Sequence, residues 1–432
     1  MLSVTEALAA ILRHATPLEV EHVSLFAALD RILAAEIASG IDSPPFDKAL
    51  MDGFAVQSTD TAGGSATLTV IETVMAGEVP ARAVESGQAI RIMTGAPLPA
   101  GADAVVPIEK TMAAPQSGQV HLGVALRPGA NVLHRGESMR AGERIFAAGQ
   151  CLRPQDLGVL AELGVASVPV RRRPRVAILA TGDELVPPES APGPGQIRNS
   201  NESLLSGLVT ASGGDAVPLG IARDAQEELR AQIDEALACD MLLLSGGVSA
   251  GDLDLVPGAL KAAGVRQVFH KVNLKPGKPV WFGVKRLGIE DQMSGEKLPS
   301  SLTPDPRPLT PGPCLVLGLP GNPVSALVCF ELFAKTAIGR LLGSEPAGPQ
   351  SLTATFAGSF ENRGDRPVYH PAQIGFDDEG RTIVSLVRWA GSGDLRATVR
   401  ANGVAVFGAG RSYATGDRLQ AVLWSGSDMF RG

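Results

Sequence analysis

Cysteine is scarce in this chain, and so are aromatic residues. Cys151, Cys239, Cys314 and Cys329 are scattered through 432 residues with no CxxC pair. That pattern excludes a disulfide framework and a cysteine-based zinc site, and it fits a reducing compartment. Aromatics make up 4% of the residues, with three Trp and two Tyr, so the core must be aliphatic. No apolar run approaches the ~20 residues that span a bilayer. The first residues lack the basic stretch of a signal peptide, and Glu6 interrupts them. Positive charge is also short: the net charge is −7, which argues against a general nucleic-acid binder. The expectation is a soluble, cytoplasmic protein with neither membrane nor nucleic acid as a partner.

Glycine and proline, in contrast, are plentiful. The 50 Gly and 32 Pro are roughly a fifth of the chain, against about 12% on average. A hydrophobic content of 44% rules out global disorder and leaves a folded, turn-rich protein. At roughly 150 residues per domain, the length suggests about three domains.

Ser3-Val4-Thr5-Glu6 reads as a capping box opening a helix over 3–14. The spacing of Leu25, Leu29, Ile32, Leu33 and Ile37 predicts a second amphipathic helix over 24–39. From 46 to about 135, short Val/Thr/Ile runs (67–74, 88–93, 103–108, 118–126) alternate with Gly/Pro turns, the pattern of an all-β module. Segment 141–170 holds a turn, a short helix near 155–163 and a short strand. Arg171-Arg172-Arg173-Pro174 reads as a boundary. Beyond it, strands at 175–180, 216–221, 241–244 and 314–319 alternate with helices near 201–212, 225–238, 253–263 and 324–342. A strand or hairpin falls at 265–284. Such alternation implies a parallel sheet covered on both faces. Residues 286–313 are polar, proline-rich and aperiodic, which reads as a surface loop. Strand-like runs at 351–359, 381–388, 403–407 and 418–424 predict a C-terminal β domain.

Open α/β sheets bind ligands at the carboxyl ends of their strands. Three strands here run into unusual loops: Thr181-Gly182-Asp183-Glu184, then Ser245-Gly246-Gly247-Val248-Ser249 followed by Asp252 and Asp254, and Gly321-Asn322-Pro323-Val324-Ser325 opening a helix. Glycine lets the backbone approach a ligand, a helix start favours an anion, and neighbouring carboxylates suit Mg²⁺. Lys275-Pro276-Gly277-Lys278-Pro279 adds two cations on a rigid turn. Each segment alone is equally a cap or an ordinary turn. Together they suggest a phosphate or oxyanion ligand with Mg²⁺.

PPFDKALMDGFAV, IRIMTGAPLP, TGDELV, SGGVSAGDLD, KPGKP and GLPGNPVSA occur in this order. The set resembles the MoeA / gephyrin E-domain family of molybdopterin molybdenumtransferases across nearly the whole chain. The resemblance implies a multi-domain α/β plus β protein with four domains. These are a helical/mixed domain from 1–45 and 141–170, a β domain over 46–140, a MogA-like doubly wound α/β domain over 171–342 with the loop at 286–313 inserted, and a C-terminal β-barrel over 343–432. It also implies a homodimer. The implied reaction is Mg²⁺-dependent insertion of molybdate into adenylylated molybdopterin with release of AMP, in molybdenum cofactor biosynthesis. A MogA-type adenylyltransferase and molybdoenzyme acceptors are the implied partners.

By the same resemblance, Asp252 and Asp254 sit near Mg²⁺ and phosphate, Glu184 and Asp224 are further acids of the cleft, and Asp52 and Thr94 approach it across the dimer. Lys275, Lys278 and Ser249 match positions that hold molybdate. Thr181, Gly246, Gly247, Gly321, Asn322 and Ser325 are the implied substrate-binding set. The chain departs from the family pattern at Phe54 (commonly Tyr) and Ser138 (commonly Asp). By rough matching, Pro371 and Ala397 stand where eukaryotic members bring an Arg and a Ser to molybdate, with Arg366 or Arg396 as candidate substitutes. These departures motivate an alternative reading, a molybdopterin- or cofactor-binding delivery protein without turnover. A nucleotide-processing enzyme of the CinA type shares the α/β motifs but not those around Asp52 and Thr94.

Overall fold

The computed structural model describes residues 1–114, 118–223, 226–247, 255–285 and 313–424. The loop expected at 286–313 lies almost wholly outside them. The chain forms two compact units. One comprises Met1–Ala34, Gly149–Leu157 and Ser167–Gly432; the other comprises Ala35–Ala148 and Gly158–Ala166.

The larger unit begins with helix α1 (Val4–His14). Its capping box forms as expected: the Ser3 hydroxyl accepts from the Glu6 N–H, and the Glu6 carboxylate accepts from the Ser3 N–H. Ala7, Ala10 and Ile11, spaced on one helical face, enter the main core of the unit. The expected helix over 24–39 does not form. Leu25–Ala28 makes a single 3₁₀ turn, and Asp30 then takes a left-handed φ of 59°. The backbone beyond it pairs with the returning chain, Leu33 N–H to the Gln150 carbonyl and Leu152 N–H to the Arg31 carbonyl. Tertiary pairing has overridden a helical spacing, and Phe26 is left 89% exposed.

The arginine run expected to mark a boundary acts as a clasp. Residues Val20–Ser24 pair antiparallel with Ser167–Arg171. The Arg171 guanidinium donates to the Leu18 carbonyl at 2.7 Å. The Arg172 guanidinium donates to Glu19 at 2.6 Å and takes Asp240 in a fork, both bonds 2.7 Å. Asp240 also accepts the Arg175 N–H at 2.7 Å. The N-terminal segment is thereby tied to the first strand of the sheet.

That sheet contains β1 (Arg175–Thr181), β2 (Asp215–Ala222), β3 (Met241–Ser245), β4 (Arg266–His270), β5 (Trp281–Lys285) and β6 (Cys314–Leu319) in the order β2-β1-β3-β6-β5-β4. Helices α2 (Ser200–Ala211), α3 (Gln226–Ala236) and α4 (Leu255–Ala262) follow β1, β2 and β3. The sheet is mixed rather than parallel throughout, because β5 runs antiparallel to both β4 and β6. A short connection suffices between antiparallel neighbours, whereas parallel ones need a crossover. The β4–β5 connection carries Lys275-Pro276-Gly277-Lys278. Alternate residues of β1 and β3 divide between two apolar layers, Val176, Ile178, Met241 and Leu243 on one face and Ala177, Leu179, Leu242 and Leu244 on the other. Both faces are covered, as the near-continuous apolar strands require.

The expected helix over 324–342 is α5 (Pro323–Cys329), a π turn over Phe330–Ala334, and α6 (Lys335–Leu341). Glu331 in the π turn is 2% exposed and pairs with Lys335 at 3.1 Å, as a buried charge must.

The C-terminal strands close into a barrel. They are β7 (Ser351–Phe356), β8 (Val368–Phe376), β9 (Thr382–Leu386), β10 (Gly403–Phe407) and β11 (Arg418–Leu423), in the cyclic order β7-β9-β8-β10-β11. Strand β8 carries few sequence signals because Pro371 interrupts it.

The smaller unit holds a six-stranded sheet, in the order Ala104–Pro107, Gly53–Val56, Gln88–Ile92, Ala66–Val74, Gln119–Leu122, Thr111–Ala114. Its strands also alternate. Phe54, Val56, Ala89 and Val106 pack on one face, and Ala55, Ile90 and Val105 on the other.

Arg172→Ala should lower stability by about 2 kcal/mol, the worth of charge-assisted hydrogen bonds lost beside a carboxylate that stays partly buried. Arg172→Lys should recover only part, because an ammonium cannot make the fork. Urea unfolding of the three proteins checks this.

Candidate functional site

Strand register brings the three expected loops together. Ala180 of β1 lies opposite Ser245 of β3, and Ser245 lies opposite Leu319 of β6. All three strands therefore end at the same level on the same side of the sheet. The Gly246 N–H donates to the Leu319 carbonyl at 3.1 Å, extending the β3–β6 ladder by one bond.

Beyond that level the backbone is tightly constrained. Gly246 has φ +91°, and a Cβ there would stand 2.7 Å from the Thr181 carbonyl oxygen. Only glycine fits. Gly321 lies in ordinary contact with it, a Cβ there standing 3.6 Å from the Gly246 Cα. Thr181 is 5% exposed, and its hydroxyl has no hydrogen-bond partner among the described residues. The Glu184 carboxylate folds back over Gly182, where a Cβ would meet Oε2 at 2.5 Å. A small parallel clip, Leu185–Val186 against Ile197–Arg198, ties this loop to the start of α2. Asn199 caps α2 through the Glu202 N–H. Burial pushes the Glu202 carboxyl up from the usual range.

Asn201, two residues into that helix, is a residue the sequence reading passed over. Its Nδ2 amide donates to Ser245 Oγ and to the Gly321 carbonyl, both at 2.7 Å. A sequence signal existed, since two asparagines within three residues of a helix start cannot both be the cap.

The helix start after β6 is partly committed. Asn322 makes no side-chain cap, Pro323 has no N–H, and the Val324 N–H is taken by the Ser392 carbonyl at 3.0 Å. Ser325 is 4% exposed. Asn322 and Gly321 are exposed.

The lysine turn is held from two sides. Its Lys275 N–H donates to the Pro367 carbonyl at 2.9 Å, and its Lys275 carbonyl accepts the Tyr369 N–H at 2.7 Å. The edge of β8 thus grips the turn. Beneath it, Gly277 has φ +115°, and a Cβ there would stand 2.5 Å from Cys329 Sγ in α5. Pro276 and Gly277 are buried, while Lys275 and Lys278 are exposed and have no ion-pair partner among the described residues. Arg366 donates to the Leu274 carbonyl at 3.2 Å, next to Lys275. Arg396 is exposed, and Pro371 and Ala397 are buried.

Asp224, Ser249, Asp252 and Asp254 lie outside the described residues. Among the described residues, no group of three or more His, Cys, Asp or Glu is placed to hold a metal ion, and no helix is long and apolar enough to cross a membrane.

In the smaller unit, Asp52 and Thr94 do meet. The Thr94 hydroxyl and N–H both donate to Asp52 Oδ1 at 2.7 Å. These bonds, the hydroxyl's first, hold the Asp52 carboxyl below the usual carboxylate range.

Gly277→Ala should lower the urea midpoint, since it is strained in φ and collides with Cys329. Gly258→Ala, in the exposed face of α4 with open space around it, should raise stability by roughly 0.5–1 kcal/mol. Thr94→Val should raise the Asp52 pKa toward its ordinary value. A carboxyl depressed in the folded state stabilises above its unfolded pKa, and that stabilisation is lost as pH falls through the folded value. The variant should lose it at a higher pH, as carboxyl NMR titration would read.

Known proteins resemble this chain along its length. Three family descriptions match in succession: "MoeA N-terminal region (domain I and II)" over residues 2–164, "Probable molybdopterin binding domain" over 177–340, and "MoeA C-terminal region (domain IV)" over 353–424. A molybdopterin molybdenumtransferase of Nostoc sp. is 35% identical over 330 residues, covering 75% of this chain and 70% of its own length. One of Bacillus subtilis is 32% identical over 413 residues, covering 94% of this chain and 90% of its own. The crystal structure of a molybdopterin biosynthesis moeA protein from Pyrococcus horikoshii OT3 superimposes with a TM-score of 0.79 at 28% identity, covering 98% of this chain and 100% of that one. With matches from its N-terminal region to its C-terminal barrel, this chain belongs to the MoeA family of molybdopterin molybdenumtransferases.

Proposed function

We propose that this transferase of molybdenum cofactor biosynthesis takes adenylylated molybdopterin and molybdate as substrates and, with Mg²⁺, cleaves the pyrophosphate link and releases AMP. The observation that carries the reading is the common level of the β1, β3 and β6 ends, where Gly246 lets main chain meet main chain. Anionic phosphates suit such a floor of close-packed backbone, free of bulky side chains.

Lys275 and Lys278 present exposed ammonium groups on a turn gripped from both sides, and in this reading they bind the oxyanion molybdate. Arg366, bonded to the carbonyl preceding Lys275, supplies the further cation that Pro371 and Ala397 cannot. Ser249 and Ser325 complete the anion-binding set. Asp252 and Asp254 hold Mg²⁺, whose preference for a few carboxylates plus phosphate oxygens fits two acids beside a glycine loop. The bound ion offsets negative charge as the phosphate bond breaks. Glu184 and Asp224 orient substrate and water in the same cleft. Asp52, kept ionised by Thr94, reaches it from the other protomer of a homodimer.

Four domains divided at the boundaries given above, one of them built from two chain segments, belong to the same reading. So do a cytoplasmic location, a MogA-type adenylyltransferase as supplier and molybdoenzymes as acceptors.

A delivery protein without turnover is the second reading, and the buried apolar positions of Pro371 and Ala397 favour it. An assay with adenylylated molybdopterin, Mg²⁺ and molybdate separates the two. The enzyme reading expects molybdate-dependent AMP release that Asp254→Ala abolishes. Tight ligand binding without AMP release under any metal condition establishes the delivery reading instead. Normal turnover in Asp254→Ala removes that residue from the mechanism.

A further inference from the structure

We infer that Asn201 is a positioning residue, whose side-chain amide sets the spacing of the two glycine loops that face the anionic substrate. The inference rests on the proposed reading of those loops as the substrate floor.

The main-chain ladder between β3 and β6 ends at the Gly246 N–H bond to Leu319. Past that point the two chains diverge into loops. The Asn201 amide crosses between them, one hydrogen to Ser245 Oγ and the other to the Gly321 carbonyl, each at 2.7 Å. Both donors of the amide are used, one on the last residue of β3 and the other two residues past the end of β6. A third element fixes the amide itself. Asn201 lies in the first turn of α2, which is capped by Asn199 and clipped through Ile197 and Asn199 to Glu184 and Val186 of the first loop. One side chain therefore couples all three loops.

The site is poorly built for stability alone. Asn201 is 8% exposed, and its Oδ1 has no partner among the described residues. The Thr181 hydroxyl, beside Gly246, likewise has no partner among the described residues. An orphaned buried acceptor costs free energy that an apolar side chain would avoid. Departures of this kind from a satisfied core point to function. The amide also suits an anion site, because it bridges the loops without adding negative charge. An aspartate of the same shape would lose both donors and place a carboxylate against two oxygens.

The test compares the full-length protein with Asn201→Ala and Asn201→Asp by two readouts. The first is steady-state AMP release from adenylylated molybdopterin with Mg²⁺ and molybdate. The second is amide hydrogen exchange at Gly246, Gly247 and Gly321 without ligand. The expected result is a fall in kcat/KM of roughly ten-fold or more, mostly through a raised KM, since the loops hold substrate and transition state alike. Exchange at the three glycines should rise while the thermal midpoint stays close to that of the parent.

Parental kcat/KM together with parental exchange in either folded variant overturns the inference. So does failure of both variants to fold, which would make the amide a core support. If the parent protein releases no AMP, the proposed reaction fails, and the exchange readout still decides whether Asn201 holds the loops.

Discussion

The site depends on one constraint: neighbouring strands in the α/β sheet stop at the same level. Hydrogen-bonded register puts Ala180 opposite Ser245 and Ser245 opposite Leu319. Once that register is set, three loops distant in sequence must leave the sheet side by side. Room then becomes the governing quantity. Gly246 passes so close to the Thr181 carbonyl that a methyl group would not fit. The sheet can hold this arrangement because its apolar strands are buried on both faces, and a one-residue slip would turn every β3 side chain to the wrong layer.

The second structural demand is that the lysine turn be held near this floor. It belongs to the connection before β5, the one strand that opposes its neighbours in direction. The barrel edge at Pro367 and Tyr369 takes the turn's backbone from one side, and α5 takes Gly277 from the other. The same core that packs the sheet includes Tyr369, Val404 and Val422 of the barrel. The barrel thus supports the site through backbone contacts. Its conformation reaches Lys275 and Lys278 through the backbone bonds at Pro367 and Tyr369. A chain with net charge −7 can in this way display a local pair of cations.

Much of this was legible in the sequence, for physical reasons that differ by element. The strands of the sheet were visible because runs such as RVAILA and MLLL are too apolar for any exposed position. Helix α1 was visible from its capping box. The glycine loops stood out as a set, and at Gly246 only glycine serves. Other features were settled by distant partners. The helical spacing over 24–39 was misleading, since Leu33 bonds Gln150 and Leu152 bonds Arg31 across a long stretch of chain and Asp30 turns left-handed. Arg172 reads as part of a boundary because Glu19 and Asp240, its partners, lie far away in sequence. The reversed direction of β5 leaves no trace in composition. Asn201 was hidden because an asparagine at a helix start already has an ordinary explanation, and only the fold shows that Asn199 has taken that role.

In the proposed reading, the ends of β1, β3 and β6, with the adjoining lysine turn, form the surface on which the anionic substrate rests. Hydrogen exchange of the full-length protein with and without adenylylated molybdopterin tests it most directly. Protection is expected to concentrate in residues 181–186, 245–247, 275–278 and 320–325. Protection absent from all four segments, with the ligand shown to be bound, would contradict it.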